Sequence, residues 1–477
     1  MTELADLDAV TLRQLIGAKA VSPREILASC IRRIEAVNPA VNAFVTTCFE
    51  RAEAEARAAE EAVMAGRPLG PLHGLPVGVK DLEETAGVRT SHGSPLFANH
   101  VPAADERIVA CVRQAGAIVV GKTNTPEFGA GANTTNAVFG PSRNPFEPTR
   151  SCGGSSGGSA VALACGMVPV ATGSDLAGSL RTPAAYCGVV GFRPSPGLVP
   201  AERKPMGYQP LSVLGPMGRN VPDTAFLLAG MAGYDGRDPL SKPVEPDSFA
   251  RLPDCDLASL RVALTADLGF APVDDGIRHV FRRAAEGFAG VFARADWRDP
   301  DLHESDRVLD VLRAVAFVGA HRDKVEKTPE LVGPNVTANV KLGLGMSLAD
   351  VAEAMVAHSA LQRRFLAFME DYDVLICPAA AVPPFPVEQL YVDSINGERF
   401  DVYYRWLALA YGLTLTGHPV VCIPCGRDAV NTPFGIQVCG RWGRDREVLG
   451  IAAALERHLA TVPGLARPIP DLAALAA

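Results

Sequence analysis

Helix-like and strand-like patterns alternate along this chain. Residues 7–37 read as helical, with Thr11 to Ala18 amphipathic. Ser22-Pro23-Arg24-Glu25 has the form of an N-cap, a proline at the first helical position and a glutamate at the third. Ile26, Leu27, Ile31 and Ile34 follow near a helical period. Residues 50–65, rich in Ala, Glu and Arg, predict an exposed helix. Pro68, Gly70, Pro71, Gly74 and Pro76 then punctuate a loop before Val77-Gly78-Val79-Lys80-Asp81, which predicts a short strand. Residues 105–116 predict a helix with Ile108, Val109 and Val112 inward. Ala117 to Val120 predicts a buried strand that ends at Gly121-Lys122-Thr123-Asn124. Residues 127–145, rich in Gly, Asn and Thr, predict a long loop.

The stretch 151–193 holds two turns of small residues, each placed to open a helix. The first, Gly153 to Gly158, precedes the apolar run Ala160 to Cys165. Val168 to Ala171 then reads as a buried strand, and the second turn, Gly173 to Gly178, leads into Ser179-Leu180-Arg181. Val189 to Phe192 is another strand, and the prolines and glycines of 194–222 predict mostly loop. Residues 235–260 form a polar, proline-rich seam. A strand at Leu260–Thr265 and a helix at Asp274–Phe292 follow; 300–370 reads as a charged, mainly helical peripheral layer. Strands return at Val374–Pro378, Val420–Pro424 and Phe434–Val438, and Glu447–Leu459 closes the chain as an amphipathic helix. Strands scattered from 77 to 438 with helices between them predict one large α/β domain with a helical excursion.

Composition narrows the class. The 477 residues are 48% hydrophobic, enough for a large core. A net charge of −8, with no Lys/Arg-rich block, argues against a nucleic-acid binder. No apolar run reaches the ~18 residues of a membrane span, and the acidic Met1-Thr2-Glu3-Leu4-Ala5-Asp6 carries no secretory signal pattern. Eleven scattered cysteines read as buried thiols of a reducing compartment, so a cytoplasmic location is expected. Cys422 and Cys425 make a single C-x-x-C with no second pair, and no metal is expected there.

Six serines lie between residues 151 and 179, beside turns that open helices. Such serines cap helices, or act as nucleophiles beside free backbone N–H groups. Capping explains one serine per helix and leaves the rest unexplained. Lys80 ends an apolar strand, and two readings are open for it: an amine snorkelling to solvent, or a buried one with a purpose.

Three blocks carry a resemblance: Gly78-Val79-Lys80-Asp81, Gly153-Gly154-Ser155-Ser156-Gly157-Gly158-Ser159, and Gly173-Ser174-Asp175-Leu176-Ala177-Gly178-Ser179-Leu180-Arg181. With Gly121-Lys122-Thr123-Asn124 and Gly435-Ile436-Gln437-Val438-Cys439-Gly440-Arg441, they resemble the amidase signature family over nearly the whole chain. The resemblance implies one domain over 1–477, its mixed central β-sheet covered by helices on both faces. The catalytic core would cover about 66–230 and 370–460, and a variable, mainly helical layer about 260–370. It also implies amide hydrolysis by a Ser–cis-Ser–Lys triad: Ser179 as nucleophile, Ser155 as relay after a cis peptide 154–155, and neutral Lys80 as base. The N–H groups of Leu176, Ala177, Gly178 and Ser179 would hold the oxyanion. A free lysine is neutral near pH 7 only at a cost of about 4.6 kcal/mol, which burial beside Val77 and Val79 would lower.

One position departs from the family pattern, which has Gly-Gly-Ser before the nucleophile where this chain has Ala177-Gly178-Ser179. If residue 177 needed positive φ, alanine would cost about 1 kcal/mol; if only its N–H is used, alanine is harmless. Asp175 and Arg181 are expected to hold the loop. Ser156 either bonds Lys80 or caps a helix, and Thr172 is a further supporting candidate. Phe128, Gly129 and Tyr186 are the substrate-contact candidates; Phe317, Tyr404 and Trp406 are aromatic alternatives with core as their commoner use. No histidine, metal or cofactor is assigned, and no arginine pair stands out as a carboxylate clamp. The expected substrates are therefore neutral, apolar or aryl amides, with esters and carbamates open to the same chemistry. The expected partners are such a small-molecule amide and, in a homodimer, a second copy of the chain; no nucleic acid and no membrane are expected. Two other readings stand beside this one. Gly154-Ser155-Ser156-Gly157-Gly158 fits G-x-S-x-G with Ser156 as nucleophile, but the strand that motif requires before it is missing. A glutaminase subunit of a tRNA-dependent amidotransferase is the alternative within the family.

Overall fold

The computed structural model describes residues 3–476. The N-terminal pattern forms as read: α1 (Ala9–Gly17) and α2 (Pro23–Val41), with Ser22 and Glu25 closing a reciprocal capping box. The next strand, β1 (Phe44–Thr47), lies outside the expected set, and α3 (Phe49–Met64) follows it. That helix is exposed on one side only, because Ala52, Ala56, Ala59 and Ala62 let its other side pack closely. Next come β2 (Pro76–Lys80), α4 (Arg107–Gln114) and β3 (Ile118–Thr123).

The central stretch builds α5 (Gly157–Ala164), β4 (Val170–Asp175), α6 (Arg181–Cys187) and β5 (Val190–Arg193). Here the second turn is shorter than expected: β4 runs on through Gly173, Ser174 and Asp175, and the chain turns only at 176–180. The expectation of loop over 194–222 is corrected at β6 (Val213–Gly218), which pairs antiparallel with both β4 and β5. Its composition hid it. A Cβ at Gly215 would sit 2.4 Å from the Phe192 carbonyl oxygen, so glycine is what lets β6 lie there. Pro216 stands opposite Thr172 and offers that residue no N–H; the Thr172 carbonyl accepts the Ser159 hydroxyl at 2.8 Å.

The remaining elements are α7 (Val221–Ala229), β7 (Arg261–Leu264), α8 (Asp275–Phe288), β8 (Arg294–Trp297), and α9 (Ser305–Lys327), α10 (Pro334–Leu344) and α11 (Leu348–Phe368). The chain ends through β9 (Val374–Pro378), the small hairpin β10 (Ser394–Ile395) and β11 (Glu398–Arg399), α12 (Ala408–Thr416), β12 (Val420–Arg427), β13 (Pro433–Gly440), α13 (Asp445–Leu459) and, beyond the helix expected to close it, the short α14 (Leu472–Leu475). Eleven of these strands form one mixed sheet in the order β1-β3-β2-β4-β6-β5-β12-β13-β9-β7-β8.

Alternation along the strands feeds a core on each face of the sheet. Val119 joins one buried cluster, while its neighbours Ile118 and Val120 join the other. Both clusters are closed by helices, which is why the central strands read as continuous apolar runs. All eight residues of α5 are buried, and the one polar side chain among them, Ser159, is bonded to Thr123 and to the Thr172 carbonyl.

β2 and β4 are parallel neighbours, with Val77 against Val170 and Gly78 against Ala171. Their C-terminal ends therefore bring Lys80 beside Ser174 and Asp175, and α5 and α6 start just beyond. Gly158 permits the docking of α5: a Cβ there would meet Asn124 N at 2.2 Å, the Ala43 carbonyl oxygen at 2.7 Å and the Asn124 carbonyl oxygen at 2.8 Å. All three are backbone atoms that cannot swing aside. Gly158→Ala is expected to destabilise the fold by about 1–3 kcal/mol, read as a lower denaturation midpoint at unchanged slope.

Candidate active site

Lys80 is completely buried at the end of β2. Its Nζ lies 2.8 Å from Ser155 Oγ, 2.9 Å from Ser156 Oγ and 3.0 Å from Ser174 Oγ. Three hydroxyls thus match the three donors of an ammonium; a neutral amine would accept from one of them. Burial pushes the Lys80 amine down to about 7, against the opposing pull of Glu83 and Asp175. Glu83 is buried as well, and desolvation raises its carboxyl. Thr172 joins the two: its Oγ1 accepts from Lys80 N at 3.1 Å and donates to Glu83 Oε2 at 2.5 Å.

The peptide Gly154–Ser155 is cis. Ser156 bonds Lys80 and makes no side-chain cap for α5. Its hydroxyl also meets the Ser174 carbonyl at 3.3 Å, and it is fully buried. A nucleophile must reach substrate, so the G-x-S-x-G reading of Ser156 is corrected.

Ser155 and Ser179 both open onto one cleft of about 110 Å³, bordered by Leu82, Phe128, Gly129, Leu176, Ala177, Arg313, Phe317, Tyr403 and Leu407. Ser179 Oγ has no hydrogen-bond partner among the described residues, and Ser156 N donates to the Ser179 carbonyl at 3.1 Å. Gly129 adjoins the relay position: a Cβ there would lie 3.3 Å from Ser155 Oγ.

Asp175 holds the turn before Ser179. It accepts Gly178 N at 2.9 Å and Leu180 N at 3.1 Å. Arg181 grips it from two nitrogens at 3.0 Å each, and Arg193 lies 3.3 Å away. Burial alone would raise the Asp175 carboxyl; Arg181 and Arg193 hold it well below the usual carboxylate range. Arg181 also donates to Gln437 and to the Ala410 carbonyl, tying the turn to β13 and α12.

Gly178 N–H is thereby occupied, which corrects its assignment to the oxyanion set. Leu176, Ala177 and Ser179 keep N–H groups without a partner among the described residues. The departure at residue 177 is also resolved. Positive φ falls on Gly178, at 110°, and not on Ala177, so the alanine carries no backbone strain.

These blocks, in this arrangement, can be compared with known proteins. The amidase family model matches residues 25–449. The chain belongs to the amidase signature family. As a member of that family it is an amide-hydrolysing enzyme. It is similar to an acylamidase of Rhodococcus erythropolis, 33% identical over 458 residues, covering 94% of this chain and 95% of that protein. It is also similar to one component of the glutamyl-tRNA(Gln) amidotransferase of Acidothermus cellulolyticus, 32% identical, with 99% of each chain covered. Among solved structures, a bacterial aryl acylamidase of the amidase signature family superposes with a TM-score of 0.88 at 28% identity, over 95% of this chain and 96% of that one.

In this amidase, the substrate-contact candidates separate. Phe128 and Gly129 border the cleft, both in the left-handed region, and the Phe128 ring packs on His321 at 4.7 Å. Tyr186 is corrected: it is buried in α6, its hydroxyl donates to the Val382 carbonyl at 2.9 Å, and it does not border the cleft. Of the aromatic alternatives, Phe317 borders the cleft, whereas Tyr404 and Trp406 lie behind it in the core.

Sequence reasoning missed Ser174, Glu83, Arg313 and Tyr403. Glu83, three residues after Lys80, was legible as a carboxylate near an apolar strand; Arg313 and Tyr403 lie in segments, 310–345 and 400–412, that the family resemblance implies as pocket walls, but neither residue was singled out. Lys122 was quoted as part of a block without a role; it is buried and donates to the Glu83 carbonyl and, at 2.8 Å, to Thr85 Oγ1. Glu84, His92 and His100 present three potential metal-ligand atoms within 4.8 Å of one another. Arg203 already places a cation 3.8 Å from the same carboxylate. No helix among the described residues is long and apolar enough to cross a membrane.

Proposed function

We propose that this amidase cleaves small carboxylic amides through an acyl-enzyme on Ser179. Ser179 Oγ attacks the amide carbonyl carbon; its proton passes to Ser155, whose own proton passes to neutral Lys80. The N–H groups of Leu176, Ala177 and Ser179 receive the oxyanion. Collapse breaks the C–N bond, and the proton returns through Ser155 to the leaving nitrogen. Water then attacks the ester and gives up its proton along the same relay, freeing the acid and Ser179. The observation that carries this reading is the 2.8 Å contact of a fully buried Lys80 with Ser155, on the cleft that Ser179 also borders. Ser156 and Ser174 fix the amine, and Asp175 with Arg181 fixes the turn.

Leu82, Phe128, Phe317 and Leu407 give the cleft an apolar side that suits an aryl or short aliphatic group. The names of the acylamidase and aryl acylamidase relatives support the same substrate class. A second reading, glutamine hydrolysis for an amidotransferase partner, is favoured by the amidotransferase relative, which is 32% identical.

Incubation with 4-nitroacetanilide, acetanilide and glutamine separates the two. Aniline release is the expected result; cleavage of glutamine with neither the anilides nor other carboxylate-bearing amides such as succinamate and glutaramate hydrolysed would replace the first reading by the second. The kcat/KM profile supplies the mechanistic check. Only neutral Lys80 can take a proton, so activity is expected to fall about tenfold per pH unit below about 7 and to level off above it. A profile flat from pH 5 to 8 would remove Lys80 as the base.

A further inference from the structure

Arg313, on α9, is 95% buried at the wall of the cleft, its residual exposure being 5%. A buried guanidinium is ordinarily paired with an anion. Among the described residues no carboxylate lies within 4.0 Å of this one, although the chain's other buried arginines at the site, Arg181 and Arg193, share Asp175. Arg313 Nε donates to Asn339 Oδ1 at 3.0 Å and Nη2 to Tyr403 Oη at 2.6 Å, both neutral acceptors. The Phe317, Tyr403 and Tyr404 rings lie 4.7, 5.7 and 4.9 Å from its central carbon. These contacts fix the direction of the guanidinium without cancelling its charge. Nη1 has no partner among the described residues.

Tyr403 Oη supplies the second donor. It accepts from Arg313 Nη2 and from Asn339 Nδ2, at 2.8 Å, so both incoming bonds are filled and its own proton is left to give. No protein acceptor takes that proton among the described residues, and Tyr403 borders the same cleft.

We propose that Arg313 Nη1 and Tyr403 Oη form a carboxylate subsite in the cleft, and that the preferred substrates are amides bearing a carboxylate. This rests on the reading that the cleft is where amides are cleaved, and it replaces the neutral substrates expected from sequence. Arginine with a tyrosine hydroxyl matches the two oxygens of one carboxylate. The apolar side of the cleft takes the chain or ring between that carboxylate and the scissile amide.

The test uses matched pairs. Malonamate, succinamate and glutaramate are each compared with the neutral amide in which an isopropyl group replaces the carboxylate; 4-acetamidobenzoate is compared with 4-isopropylacetanilide. In the unaltered enzyme, one carboxylate member is expected to exceed its neutral twin in kcat/KM by about tenfold or more. In Arg313→Gln that ratio is expected to fall at least tenfold. Neutral twins preferred throughout by the unaltered enzyme would overturn the subsite while leaving amide hydrolysis intact.

Binding is measured separately, by calorimetry with malonate, succinate and glutarate, because it needs no turnover. Binding that Arg313→Gln abolishes supports the subsite even where every amide resists hydrolysis, an outcome that would sink the proposed function alone. Absence of dicarboxylate binding to the unaltered enzyme, together with no carboxylate preference, rejects the subsite whatever the folding of the variant. Glutamine runs beside glutaramate, and preference for glutamine marks the amidotransferase reading.

Discussion

Ser179→Ala is expected to lower kcat on a cleavable amide by about 10⁴-fold or more while the protein stays folded. The alanine removes one oxygen from a half-buried residue whose hydroxyl bonds no other described residue, so little stability depends on it. What it removes chemically is the atom that forms the acyl bond. Ser155 cannot substitute, because its hydroxyl is drawn to Lys80 at 2.8 Å. The measurement is kcat with the best substrate of the panel, beside a thermal melt and an acyl-enzyme trap by mass spectrometry. Unaltered kcat, or a trapped acyl group on another serine, would displace Ser179 from its role.

The largest effect on stability is expected from Asp175→Ala, a loss of about 3–5 kcal/mol. The carboxylate is sealed from solvent and is the shared anion of Arg181 and Arg193. Its removal leaves two buried guanidiniums facing each other and frees Gly178 N and Leu180 N. The sign with pH follows from the depressed folded value. Above about pH 4, the ordinary carboxylate pKa, the stabilisation is complete; it is lost as pH falls from there towards the folded value. Denaturant melts of both proteins at pH 7 and near pH 3 check this. The gap should narrow at the lower pH, and a gap that widens there would mean that the charge of Asp175 is not what holds the turn. Asp175→Asn, which keeps the shape and loses the charge, separates ion pairing from packing.

Most of the elements of this amidase are written locally. The capping box at Ser22 and Glu25, the apolar run of β2 and the small residues that open α5 all depend on neighbours within a few positions, so they read directly from the chain. β6 does not. Gly215 and Pro216 look like loop because their purpose is to accommodate Phe192 and Thr172 on the adjoining strands. Strand status there is conferred by two partners distant in sequence.

The site divides in the same way. Its serine and lysine candidates could be chosen from sequence, because three blocks of small residues carry them and resemble one family. Which N–H groups remain free could not be chosen, since Asp175 reaches forward to take Gly178. Nor could the conformation at Ala177, where positive φ falls one residue later. Tyr186 looked suited to a pocket, and packing buried it in α6 with its hydroxyl on the Val382 carbonyl; nothing local marked Arg313, which packing brings to the cleft. Sequence by itself determined most of the elements, the family and the chemistry that serine and lysine can perform, because those follow from local pattern and residue type. Tertiary structure alone decided charge balance and access: whether a lysine is desolvated, which hydroxyls it meets, and which buried arginine has no anion beside it among the described residues. Those properties belong to no single segment, since burial and pairing are set by chains that meet across the sheet and the helical layer.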